Sequence, residues 1–181
     1  MFNSLSGRLV VLTTIFVMLA EVLIFVPSIA RFRADYLMNR LERAQIASLA
    51  LLADDMIDRE LEAELLENAG VFNVVLRRDQ VRQLMLSSEL PQPISQTYDM
   101  REDSAAVLIR DALTRFVSPE NEVIRVIGAP VRDAGLLIEI TMETTPLREA
   151  MIDYGIRILI LSAVISIFTA SRIRKNWNTW V

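Results

Sequence analysis

Between Leu9 and Ala30 the chain reads LVVLTTIFVMLAEVLIFVPSIA, 22 residues carrying one charge, Glu21. As an α-helix such a run is about 33 Å long, enough to cross a hydrocarbon core of roughly 30 Å. It predicts a first transmembrane span at 9–30. A second stretch, Ala150–Ala170, is interrupted in its outer third by Asp153 and Arg157. Beyond Arg157 it continues as ILILSAVISIFTA without a charge, and Arg172, Arg174 and Lys175 follow at once. This predicts a second span at 150–171, with Arg157 reaching outward and the basic cluster in the opposite headgroups. A cleavable signal peptide is the rival reading of the N-terminus, since Ser28-Ile29-Ala30 after Pro27 offers small residues at a cleavage position. The apolar run is longer than a signal-peptide core, and a second span follows it, so the retained span is the expectation.

Two spans place both termini on one side of the membrane. Arg8 precedes the first span and three basic residues follow the second, which puts that side in the cytoplasm. The intervening residues 31–154 hold 14 Arg against 22 acidic residues, a net charge of −8. A loop that long is exempt from the positive-inside rule, so Arg31 and Arg33 do not reverse the orientation. The expected organisation is a cytoplasmic N-terminus at 1–8, a first span at 9–30, an extracytoplasmic domain at 31–149, a second span at 150–171 and a short cytoplasmic tail at 172–181, in a bacterial inner membrane.

Composition removes whole classes of chemistry. The formal charge of −4 argues against a nucleic-acid partner, which would require a basic face. With no Cys there are no disulfides, thiolate nucleophiles or Cys-ligated metals, and with no His there is no imidazole base, triad or phosphohistidine. Neither a phosphate-cradling Gly-rich loop nor a Gly-x-Ser-x-Gly or kinase signature occurs. No catalytic activity, metal or cofactor is expected of this chain.

The region between the spans begins with a long helical pattern. Phe32, Tyr36, Leu37, Leu41, Ala44, Ala47, Leu51, Leu52, Met56, Ile57, Leu61 and Leu65 recur at spacings near three and four, and no Gly or Pro breaks the run from Ser28 to Ala69. Gly70 reads as its left-handed C′ residue. The stripe at 37, 41, 44 and 51 fits either a parallel dimer contact or packing on the chain's own sheet. Val71–Leu76 and Val81–Leu86 flank Arg77-Arg78-Asp79-Gln80 as a hairpin, and a polar connector with Pro91 and Pro93 follows. Ser104–Val117 is amphipathic, with Asp103 or Ser104 as N-cap. Val123–Val131 and Leu136–Met142 form a second strand pair, and Thr145-Pro146 opens the helix entering the second span. The expected fold is α+β, with a long N-terminal helix and a four-stranded antiparallel sheet between two transmembrane helices.

Several residues merit weighing as sites. Glu21, an acid inside a span, faces a partner helix in one reading and a watery gap in the other; intramembrane acids usually point inward. Arg77, Arg78 and Arg82 cluster around one turn and could hold an anion, although polar hairpin tips are commonly just solubilising. Asp54, Asp55, Asp58 and Glu62 share a helix surface where a divalent cation is conceivable and a solvated face more ordinary. Arg157, at the outer boundary of the second span, joins Glu21 as a signalling candidate.

The segments LAEVLIFVPS and TTPLREAMIDYGIRILILS, with the span–long helix–α/β–span order, resemble the input half of bacterial two-span sensor histidine kinases, most closely the alphaproteobacterial kind. The similarity covers residues 1 to about 171. It implies a PAS-like periplasmic sensing domain, an inner-membrane homodimer, an unknown small-molecule or periplasmic ligand, and signal transfer to a cytoplasmic HAMP and kinase module. No HAMP Pro motif or phosphoacceptor His is present in the ten residues after Ser171, so the expectation is a truncated or separately encoded sensor portion. A non-signalling two-span envelope protein, displaying an α/β binding domain to a partner complex, is the alternative.

Overall fold

The computed structural model describes residues 5–53, 59–78, 81–101, 104–130 and 136–177. Helix α1 (Leu5–Ala53) is 49 residues long, about 74 Å at 1.5 Å per residue, more than twice a bilayer core. Its first half is apolar on all sides and its second half carries the expected stripe. Pro27 lies inside it and donates no backbone bond to Leu23, while the Ser28 hydroxyl donates to the Ile24 carbonyl at 2.7 Å, beside that gap. Helix α2 (Arg59–Ala69) follows. Its end is a Schellman motif: Gly70 has φ +66°, its N–H donates to the Glu67 carbonyl, and the Val71 N–H donates to the Leu66 carbonyl. The expected C′ role of Gly70 is therefore realised. The single helical run expected from 28 to 69 is described as two helices, with Asp54, Asp55, Met56, Ile57 and Asp58 outside the described residues.

The sheet departs from expectation. Strands β1 (Asn73–Arg78), β2 (Val81–Ser87), β3 (Ile94–Asp99), β4 (Val123–Gly128) and β5 (Leu137–Glu143) form one five-stranded mixed sheet in the order β2-β1-β5-β4-β3. The four antiparallel strands expected from the sequence are β1, β2, β4 and β5. The fifth, β3, occupies the segment read as a polar connector and runs parallel to β4. Helix α3 (Ala105–Val117) lies between β3 and β4 in sequence and carries the chain back, which makes a parallel pairing possible. As an edge strand, β3 needs only one ladder and few inward side chains, so its Ser-Gln-Thr-Tyr composition is no obstacle.

Alternation sorts the sheet into two faces. Val74 and Leu76 on β1, Ile138, Ile140 and Met142 on β5, and Ile124 and Val126 on β4 are all buried and share the inner face through their registers. Helix α1 lies across this face. Leu41 packs against Gly128, whose missing Cβ would sit 2.5 Å from Leu41 Cδ1. Leu37, Leu41 and Ala44 are buried in this same core, so these positions of the stripe belong to the chain's own packing and not to a dimer contact. Ser104 caps α3 as expected, accepting from the Val107 N–H.

Helix α4 (Thr145–Trp177) leaves β5 after one residue, Thr144. Thr144 is fully buried, and its hydroxyl accepts from the Glu122 N–H at 3.0 Å and from Arg115 at 3.2 Å. Arg115, in the last turn of α3, also donates to Glu122 Oε2 at 2.5 Å and to the Glu120 carbonyl. The charge is paired and both terminal nitrogens donate, which is what burying an arginine requires. This cluster fixes where α4 departs from the sheet.

Candidate functional site

Two helices are long and apolar enough to cross a membrane, Val11–Leu49 and Thr145–Phe168, and within their apolar windows only 6% and 11% of residues are buried. Leu12, Phe16, Leu23, Leu159, Ile167 and Phe168 are among the large side chains left exposed on them. So continuous an apolar surface is unfavourable in water and matches lipid.

Where the two helices face each other they do so along matched stripes. On α1 the contact runs through Glu21, Phe25, Ile29 and Phe32, and on α4 through Tyr154, Gly155 and Ser162. The two series run in opposite directions along the chain, as antiparallel neighbours must. At the domain end Phe32 stacks on Tyr154 with centroids 4.3 Å apart. The next residue, Gly155, lets α1 approach closely: a Cβ there would stand 3.3 Å from Phe25 and 3.5 Å from both Ile29 and Phe116 of α3. Phe25 and Phe116 meet edge-on at 6.1 Å, so α3 touches the same knot. Farthest from the domain, the Ser162 hydroxyl donates to Glu21 Oε1 at 2.9 Å. Glu21 lies eight residues, about 12 Å of helix, beyond the buried Ile29.

Glu21 therefore does face a partner helix, the returning helix of its own chain. Arg157 lies off this seam: it is exposed and pairs with Asp153 at 2.9 Å one turn earlier. The arginines expected at a hairpin tip are strand residues, with Arg77 opposite Arg82 and Arg78 opposite Val81 in the ladder; the tip itself, 79–80, is outside the described residues. Of the acidic run, Glu62 accepts from the Ser87 N–H at 3.0 Å and ties α2 to β2. Among the described residues no group of three or more acids gathers as a metal site.

Residues the sequence reading passed over include Arg33, which is 1% exposed with its guanidinium 4.4 Å above the Tyr98 ring. Its signal was positional: it falls in line with Ile29, Leu37 and Leu41 on the buried stripe. Arg40 was missed as well. It donates to the Ala69 carbonyl and to the Tyr36 hydroxyl, each at 2.8 Å, and so caps α2 with a cation at its negative end.

Among the described residues, two cavities border the sheet. One, of about 440 Å³, lies between β3 and α3 and contains Asp99 and Asp111. Both acids are neutralised locally: Arg101 forks onto Asp99 at 2.6 and 2.8 Å, and Arg110 pairs with Asp111 at 2.8 Å. The hydrogen-bonded Arg101 guanidinium holds the Asp99 carboxyl below the ordinary aspartate value. The other cavity, of about 350 Å³, lies where the end of α2 and the start of α4 come together.

No protein-family model, curated protein or solved structure matches this chain.

Proposed function

We propose that this chain is the signal-input and transmembrane signalling module of a two-component sensor histidine kinase. In this reading residues 31–149 form a PAS-like periplasmic sensing domain on a five-stranded sheet, and both termini lie in the cytoplasm. The observation that carries it is the seam. α1 and α4 pass without a break from the core of one domain into apolar segments, and they stay in register from Phe32–Tyr154 to Glu21–Ser162. A shift of α4 at Thr144 is thereby passed along a rigid helix pair, since packed seams have discrete arrangements.

A homodimer belongs to this proposal, with the contact on the outward face of α1. Met38, Ile46 and Leu49 are exposed there at 38%, 68% and 45%, on the side away from the sheet. The output module is cytoplasmic and supplied from outside these residues. The test is a chimera of residues 1–171 with a HAMP–kinase module. Kinase output that responds when the seam is altered by Gly155→Leu supports the input role. A chimera that is membrane-inserted, dimeric and indifferent to such changes favours a non-signalling anchor.

A further inference from the structure

The cavity at the α2–α4 junction has an unusual combination of walls. Leu66, Val71, Phe72 and Pro146 give it an apolar lining, and two carboxylates, Glu67 and Glu143, share its boundary. Among the described residues neither carboxylate has a side-chain ion pair or hydrogen bond. The cavity between β3 and α3 differs, because each of its acids has an arginine of its own.

A third contribution has the same sign. The last turn of α2 and Gly70 form part of the wall, so the negative end of the helix dipole faces the same space. Glu67 sits in that last turn, where a carboxylate is disfavoured and α2 has no basic residue of its own; the cation at this end, Arg40 of α1, is engaged by the Ala69 carbonyl and the Tyr36 hydroxyl. Arg40 caps the helix at Ala69 and is not among the cavity's lining residues. A charge placed against a local rule, beside an apolar cavity, is the pattern expected of a site.

We propose that this cavity binds an organic ammonium ion with an apolar body, its charge held between Glu67 and Glu143 and its body against Phe72 and Pro146. The ligand would touch the end of α2, the residues leading into β1, the end of β5 and the first turn of α4 together. Occupancy would thus draw the first turn of α4 towards α2. The role as an input rests on the signalling reading above; the binding chemistry does not.

The test uses the full chain in lipid nanodiscs and ligand-observed NMR titrations with three near-isosteric probes: benzylammonium, benzyl alcohol and benzoate. Benzylammonium should bind saturably, and the neutral and anionic probes should bind at least about tenfold more weakly, a gap of about 1.4 kcal/mol. Glu67→Gln and Glu143→Gln should each weaken the amine by about tenfold. Glu67→Lys should abolish amine binding while leaving the melting temperature unchanged or raised, because it also suits the helix end. Equal binding of benzyl alcohol, retained amine binding in Glu67→Lys, or no saturable amine binding at millimolar concentration would each overturn the proposal. Failure here with a responsive chimera removes this site alone; amine binding with an indifferent chimera leaves the site and removes the input role.

Discussion

Replacing Gly70 by Ala should destabilise the domain in two separable ways. The residue has φ +66°, which costs an L-amino acid about 1–2 kcal/mol. Its new methyl would also stand 1.9 Å from Arg40 Nη1, so the guanidinium must leave the Ala69 carbonyl it caps. A hydrogen bond from a charged donor contributes about 1.5–3 kcal/mol, discounted here to about 1 kcal/mol for a half-buried partner. The sum is about 2–3 kcal/mol. At about 2–4 °C per kcal/mol this is a fall of roughly 4–12 °C in melting temperature, measured on the full chain in mild detergent. Arg40→Met separates the parts. In that background Gly70→Ala should cost only the backbone contribution, leaving a coupling of about 1 kcal/mol in the double-mutant cycle. An equal cost in both backgrounds would refute the steric argument, and no cost at all would refute the left-handed C′ assignment.

Other expectations follow from the seam and the sheet. A Glu21→Cys, Ser162→Cys pair should be bridged intramolecularly by a short bifunctional thiol crosslinker faster than a Glu21→Cys, Leu161→Cys pair, since Leu161 is 61% exposed on another face; mass spectrometry reads the result. A Cys at Ile46 should react with a maleimide and crosslink between protomers, whereas a Cys at Leu41 should stay unreactive in the folded chain because that position is core. The Asp99 carboxyl is held down by Arg101, so its contribution to stability is present above the unfolded aspartate value and lost as pH falls through the lower folded one. Arg101→Gln should raise the Asp99 titration midpoint in carboxyl NMR and flatten that acid-side dependence.

Helix ends and inner-face strands were legible because they obey local rules. Gly70 is the one residue type suited to its φ, Ser104 caps the helix it precedes, and Ile138, Ile140 and Met142 alternate because one sheet face is covered. Strand β3 was not legible. Its pairing is supplied by β4 after a helical crossover, and its own residues are polar enough to read as a connector. Of the two readings open for Leu37, Leu41 and Ala44, packing on the chain's own sheet holds, and the sequence could not choose it because periodicity reports which face is buried but not what buries it. Glu21 could be singled out as an acid in an apolar run, yet Ser162 had no signal of its own. Arg115 and Arg33 likewise sit on apolar stripes, where only three-dimensional partners explain a buried cation.

The proposal stands on two antiparallel helices, each long and apolar enough to cross a membrane, that flank one α/β domain. The most direct measurement is a pair of compartment reporters, one fused after Met100 and one at Val181. Opposite compartments, with the Met100 fusion outside and the Val181 fusion in the cytoplasm, are the predicted result. Both reporters in the same compartment would mean that the second helix does not cross, and would contradict the account.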